Sequence, residues 1–370
     1  MNRSGDCARL ETKVYADAEQ LNLAVLSGEV DLLSAGDLSL LENYARKDLL
    51  LPVDQLLPEL FSSGVLYENM VDALRCDGRC YFLPPCFTGD INLLPKRYET
   101  DPASLDSISA LEALLAKREP EYFGLFTKES ILAGQWLPAT TDYWVDRDAG
   151  TARFDSEEFV EFLKFCDRYV LTWEEVAANQ AGVDGRFTPP PHYRMKVTMI
   201  VCDSDQYMDY VYYRLPCEGL STISLSSECY LAAVRGTDPA EAGNFFSVVL
   251  TDEGWHKKGK IGDDSGHIDD NILFLNREWT EADLDKTEQT TLKKHTGQSP
   301  VDTFDPEEYK TAMEKIRGFL NEANHFEGNI SELIDVIHEE ANAFFNGDIT
   351  AEEAARRIQN RVEIYLAEHG

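Results

Sequence analysis

The sequence predicts an α/β chain in two domains with a helical C-terminal end. Strand and helix patterns alternate near the start at a spacing that fits parallel strands joined by crossover helices. The chain has 370 residues, more than one domain of roughly 100–200 residues accommodates. Residues 331–370 read as two amphipathic helices, the second opened by a capping box and the two separated by a Gly-Asp stop.

In chain order, Leu10 to Tyr15 alternates and reads as a strand. Asp17 to Gln20 opens a helix through Leu21, Leu23, Ala24, Val25 and Leu26, and Gly28 suits its left-handed cap. Val30 to Leu33 is a short apolar strand. The turn Ser34 to Asp37 follows, and Asp37 can cap a second helix carrying Leu40, Leu41, Tyr44 and Ala45. Asp54 to Leu74 is mostly helical, and Asp77-Gly78 is a tight hairpin turn. Phe82 to Pro85 is extended, because Pro continues neither a helix nor a central ladder. Ser107 to Lys117 reads as a helix and Phe123 to Phe126 as a strand. Asp155 caps a helix through Phe159, Phe162, Leu163 and Cys166. Thr188 to Pro191 is a loop and Val197 to Cys202 a buried strand. Asp238 with Pro239 and Glu241 starts a helix, and Asp305 with Pro306 starts another by the same chemistry. Glu253 to Lys294 is polar, rich in turn formers and without a clear pattern.

Lys plus Arg total 34 and Asp plus Glu 67, a net charge of −33. A surface that negative repels phosphate backbones and anionic lipid, so nucleic acid is excluded as a partner class. No apolar run approaches the roughly 20 residues of a membrane span, and Met1 to Leu10 has neither the basic region nor the apolar stretch of a signal peptide. The eight cysteines include Cys76 and Cys80 across the Asp77-Gly78 turn, where a bridge is conceivable. No second matching pair or nearby His pair accompanies them, so no zinc site is expected.

Dinucleotide, P-loop, zinc-helix and serine-elbow motifs are absent. Asp146 to Gly150 begins like a calcium loop but places Gly150 and Thr151 where an oxygen ligand and a Gly are needed. No cofactor, metal or catalytic residue is therefore expected. The remaining signal is aromatic. Phe87-Thr88 follows a Pro-Pro turn, Trp136, Tyr143 and Trp144 flank a Pro138 loop, and Tyr207 follows Asp203 and Asp205. Flat rings beside Asp, Thr and Gln suit a sugar, because rings cover its C–H faces while polar groups satisfy its hydroxyls.

Several stretches, in order, carry a family resemblance: Glu19 to Leu33, Tyr44 to Asp54, Asp77 to Pro84, Gly236 to Leu250, and Phe344 to Val362. The chain resembles the extracellular solute-binding proteins of ABC importers, family 1, the group that includes maltodextrin-binding proteins. The resemblance implies a type II periplasmic-binding-protein-like fold of two α/β lobes: residues 1–88 with 218–275, and residues 89–217 with 276–370. It implies a non-enzymatic monomer that binds a small solute, a sugar or oligosaccharide, between its lobes and delivers it to an ABC permease. It maps ligand contacts to Asp37, Phe87, Thr88, Trp136, Tyr143, Trp144, Asp203, Asp205 and Tyr207. It further implies a first strand and helix ahead of Leu10, and an extracellular, lipid-anchored full-length form whose signal and anchor lie outside this chain. Two other readings stand beside it. One is a degenerate interaction or scaffold module without a small ligand. The other is a carbohydrate hydrolase using two carboxylates roughly 5–10 Å apart.

Overall fold

The computed structural model describes residues 10–96, 101, 104–105, 107–116, 127–128, 137–146, 149–172, 174–175, 193–196, 210–213, 223–253, 273–295, 304–327 and 331–369. Expectations for Phe123 to Phe126, Thr188 to Pro191 and Val197 to Cys202 lie outside these residues. The chain divides into a first unit, Met1–Thr88 with Ser226–Asp302, and a second, Gly89–Leu225 with Thr303–Gly370. It passes from one to the other three times. The architecture is α/β as expected, but the described strand pairings of the first unit's three-stranded sheet are antiparallel, not the parallel crossover pairs the alternating pattern predicts.

In the first unit, Asp17 caps helix Ala18–Leu26 by accepting a 2.8 Å bond from Gln20 N. Gly28 turns the chain with φ +71°. Asp37 caps helix Leu38–Arg46 through Leu40 N at 3.3 Å, and Asp238 caps Pro239–Thr251 through Ala240 N and Glu241 N. Each carboxylate satisfies amide donors that the first helical turn leaves open. The helical reading of Asp54 to Leu74 resolves into three short pieces: Val53–Leu56, Pro58–Ser62 and Glu68–Asp72. Pro58 interrupts the ladder, and Gly64 at φ +75° ends the second piece. The turn Asp77-Gly78 joins strands Arg75–Cys76 and Arg79–Cys80 with both residues at positive φ, 50° and 74°. That is the left-handed geometry Asp-Gly tolerates. Cys76 pairs across from Arg79 and Cys80 from Arg75, so the two thiols point to opposite faces of the ribbon and do not bridge.

The sheet of this unit has strand order Leu32–Ala35, Tyr230–Ala233, Phe82–Leu83, with both pairings antiparallel. Its first strand begins at Leu32, two residues beyond the expected Val30, and Asp31 O accepts from Val234 N and from the Thr237 hydroxyl just ahead of it. Leu10 to Tyr15 is not a strand. It has no ladder among the described residues, and Val14 is 88% exposed. Alternation gives strand propensity, but a strand needs a neighbour.

Helix Arg277–His295 was not legible as a helix, and it belongs to the first unit rather than to the second, where residues 276–370 were assigned. Its buried face is Trp279, Thr280, Asp283, Leu284, Thr287 and Thr291. Threonine hydroxyls can be buried there because they bond main-chain carbonyls: Thr287 Oγ1 to Asp283 O at 2.9 Å, and Thr280 Oγ1 to Phe274 O at 2.8 Å. A polar stripe conceals the helical period from a hydropathy reading.

The second unit packs helices Ile108–Leu115, Leu137–Trp144, Glu157–Tyr169, Ser331–Phe345 and Ala351–His369 around one core. Helix Glu157–Tyr169 is capped by Ser156, whose hydroxyl accepts from Phe159 N at 3.3 Å, and not by Asp155. At the C-terminal end Gly347 stops one helix at φ +80°, and Thr350 caps the next through Glu353 N at 3.2 Å. The hairpin Val145–Asp146 and Thr151–Ala152 is fastened to the last helix by Gln359. Its Oε1 accepts from Phe154 N at 2.7 Å and its Nε2 donates to Ala152 O at 2.8 Å. Strand Cys86–Pro95 enters this unit and pairs antiparallel with Tyr193–Lys196 and Tyr210–Tyr213. Strand Ser224–Ser226 pairs parallel with His325–Phe326.

Candidate ligand-binding site

Strands Leu32–Ala35 and Phe82–Leu83 run in one direction and Tyr230–Ala233 between them in the other. Two carboxyl-terminal strand ends and one amino-terminal end therefore share an edge of the first unit's sheet. The turn Ser34 to Asp37 and the loop Ser227 to Cys229 gather there, beside the start of strand Cys86–Pro95, whose Cys86 and Phe87 pair antiparallel with Phe274 and Leu273. The carboxyl ends of strands are where open α/β sheets place ligands, because the chain leaves the sheet in loops whose amides and side chains are not used by the ladder.

The loops are close. A Cβ on Gly36 would lie 3.0 Å from Glu228 O, so any other residue there would need the Glu228 main chain to give by a few tenths of an ångström. The hydroxyl of Ser34 is 3.1 Å from the thiol of Cys229. Ser227 Oγ lies 2.8 Å from Cys86 O and 3.0 Å from Cys229 O. Asp37 is half-buried, with one carboxylate oxygen on the Leu38–Arg46 helix terminus. The hydroxyl oxygen of Thr88 has no hydrogen-bond partner among the described residues. It is thus an unused hydrogen-bonding group at the point where the chain leaves the first unit. Burial, with Cys229 and Glu228 alongside, pushes the Cys86 thiol up to about 11, so it is un-ionised at neutral pH and a poor nucleophile. Among the described residues, no group of three or more His, Cys, Asp or Glu converges as a metal site.

The other expected contacts fare differently. Phe87 is 2% exposed and meets the Tyr67 ring edge-on, with centroids 6.4 Å apart, so in this unit it packs as core. Trp144 is a correction. It is 1% exposed, stacked on Phe154 and edge-on to Phe159, and its indole N–H donates to Thr140 Oγ1 at 3.0 Å. With its ring buried among Phe154, Phe159 and Tyr143 and its N–H bonded, it packs as core of the second unit. Tyr143 is half-buried. The Arg153 guanidinium lies over its ring at 4.4 Å and its hydroxyl donates to Glu158. Trp136, Asp203, Asp205 and Tyr207 lie outside the described residues. Sequence reasoning missed Cys86 and the loop Ser227 to Cys229, for which no local signal exists; only the strand pairing brings them to Asp37 and Thr88.

No family model matches the sequence, and no curated protein matches it. Solved structures do match. The sugar-binding protein MalE of the phytopathogen Xanthomonas citri aligns with a TM-score of 0.58 at 12% identity, covering 95% of this chain and 87% of that one. The cyclic alpha-maltosyl-1,6-maltose binding protein of Arthrobacter globiformis aligns with a TM-score of 0.56 at 14% identity, covering 95% and 88%. A putative oligosaccharide periplasmic-binding protein of Synechococcus gives 0.55 at 14% identity, covering 95% and 89%. The chain shares its two-lobe α/β fold with these sugar- and oligosaccharide-binding proteins along nearly all of its length. The resemblance drawn from the sequence stretches and the likeness in three dimensions point to the same group.

Proposed function

We propose that the protein is a solute-binding protein that takes a sugar or oligosaccharide as ligand and hands it to an ABC permease. The likeness along nearly the whole chain to proteins named for binding maltose-type sugars and oligosaccharides carries this reading. The cluster of Asp37, Thr88, Ser34 and Ser227 at one sheet edge supports it, since carboxylate and hydroxyl groups of this kind bond sugar hydroxyls. The aromatic surface a sugar would need comes, on this reading, from Trp136, Tyr207 and Tyr143 rather than from Trp144. The protein binds without chemistry, acts as a monomer, and works outside the cell in a lipid-anchored form. Its net charge of −33 favours a neutral ligand over an anionic one.

The test is thermal unfolding against malto-oligosaccharides, cyclic glucans, monosaccharides, amino acids and polyols. A ligand of the folded state at about a hundred times its dissociation constant contributes roughly 2.7 kcal/mol and raises the midpoint by a few degrees. A shift confined to one sugar class is the expected result. A well-folded protein that answers to no sugar in the panel refutes the sugar reading and favours an interaction module.

A further inference from the structure

We propose that Asn346 is a covalent modification site: its side chain closes a ring with the Gly347 nitrogen and loses ammonia, so that the turn joining the last two helices comes to hold aspartate or isoaspartate. The inference stands apart from the identity of the solute, because it rests on one turn within the second unit.

Asn346 is the one asparagine in the sequence that precedes a glycine. The structure shows why glycine stands there. Helix Ser331–Phe345 ends in a Schellman turn, in which Gly347 N donates to Phe344 O and Asp348 N to Ala343 O, both at 2.9 Å. That turn holds Gly347 at φ +80°, in the left-handed region that disfavours a side chain. A glycine nitrogen has no Cβ beside it to shield it. The residue the turn demands is therefore also the one that a neighbouring carboxamide reaches most easily. Asn346, Gly347 and Asp348 are all exposed. Other asparagines are held by their side chains. The Asn276 carboxamide donates to Leu250 O and accepts from Trp279 N, that of Asn324 accepts from Ile223 N, and that of Asn22 accepts from the Tyr44 hydroxyl. Attack requires Gly347 N to leave Phe344 O, so the reaction passes through a brief opening of the turn. Helix ends open at far lower cost than cores do, and Phe344, Phe345 and Ile349 around this one are only partly buried.

The chemistry needs only water. Hydroxide takes the Gly347 amide proton, and the nitrogen attacks Cγ of Asn346. The new C–N bond forms, the Cγ–Nδ2 bond breaks, and ammonia leaves a five-membered succinimide. Water then adds to either ring carbonyl. Addition at Cγ restores the main chain and gives aspartate. Addition at the main-chain carbonyl leaves the chain running through Cγ and gives isoaspartate. One water is consumed, one ammonia is released, and nothing is oxidised or reduced. Either product places a negative charge at the carboxyl end of a helix, beside Asp348, where the helix dipole disfavours it. Isoaspartate also lengthens the main chain by one carbon, which breaks the spacing of the two turn bonds. The helix Ala351–His369 that follows is part of the second unit's core, so the change loosens the packing of that helix.

The experiment ages the full chain in mildly alkaline buffer, native and unfolded in urea, with a native sample in mildly acidic buffer as control. Samples are digested at acidic pH and mapped by mass spectrometry. Isoaspartate is labelled with a protein isoaspartyl methyltransferase and radioactive methyl donor. The expected result in the native alkaline sample is the mass gain of an amide-to-acid exchange at Asn346 before any other asparagine, with methyl label on the same peptide. Both should be slower than in urea, where the turn bonds are gone, and nearly absent in acid. In Asn346→Gln, whose longer side chain closes a less favourable ring, mass gain and label should be lost from that peptide. An Asn346 that stays unchanged in the native chain while it reacts in urea overturns the proposal, because the turn then locks it. Earlier reaction at another asparagine of the native chain overturns it as well. These two outcomes are read from the wild type alone, whether or not the variant folds.

Discussion

Replacing Trp144 by Ala separates a core ring from a ligand ring. The side chain is 1% exposed and is held between Phe154, Phe159 and Tyr143, with centroids 6.1, 5.2 and 4.8 Å away. Burying a Trp removes roughly 150–250 Å² from water. At about 25 cal/mol per Å² that is worth roughly 4–6 kcal/mol, part of which the Ala methyl retains. The cavity left behind adds to the loss as far as the surrounding rings cannot collapse. The expected destabilisation is about 3–5 kcal/mol, a large share of the roughly 5–15 kcal/mol a folded domain has. Trp144→Phe keeps a ring but loses the bond to Thr140, and should cost about 1–2 kcal/mol. Urea unfolding followed by circular dichroism gives both values. Sugar affinity, measured by titration calorimetry on chains still folded, should hardly change. A Trp144→Ala chain that unfolds within about 1 kcal/mol of wild type while losing its ligand would refute the core assignment.

Other outcomes follow from local chemistry. Thr280→Val should cost roughly 2–4 kcal/mol in denaturant unfolding, because the Thr280 hydroxyl accepts from Phe274 N and donates to Phe274 O, both at 2.8 Å, in a fully buried place. Gly36→Ala should lower the melting temperature of the first unit by a few degrees, since its Cβ meets Glu228 O at 3.0 Å and backbone must move. Native reduced Cys86 should react with iodoacetamide about tenfold faster per pH unit up to about pH 11, the value to which burial pushes it; a plateau near pH 9 would contradict that burial. Glu352 and Glu353 are held below the ordinary carboxyl value of 4.5 by Lys164 and by Arg356 with Arg357. Lowered values mean that their contribution is complete above pH 4.5 and is lost as the pH falls below it. The start of the last helix should therefore fray in amide exchange as the pH falls below 4.5. Because these side chains are exposed, the effect should shrink in 1 M salt.

What was legible in the sequence is what depends on a few adjacent residues. Asp17, Asp37, Asp238, Asp305 and Thr350 start helices because each carries an oxygen at a fixed reach from amides two or three positions on. Asp155 failed only because Ser156, one residue later, does the same work. Leu10 to Tyr15 failed for the opposite reason: pairing is not local. Helix Arg277–His295 was hidden by threonines whose hydroxyls find main-chain partners that the sequence does not display. At the candidate site, Asp37 and Thr88 could be named because each follows a turn with a local signature, Ser34 to Asp37 and Pro84-Pro85. Phe87 and Trp144 were named for their neighbours in sequence, which do not say which way a ring turns.

The Gln359 clamp bears on how the chain is made. It reaches from the last helix to Phe154 and Ala152, and that helix also supplies Ala354, Ile358, Val362 and Leu366 to the core around Trp144. A chain emerging from the ribosome amino end first exposes Phe159, Phe162 and Leu163 long before the residues that cover them exist. The core of the second unit can close only once the helix Ala351–His369 has been made, and loss of that helix would remove one wall of the unit rather than trim a tail.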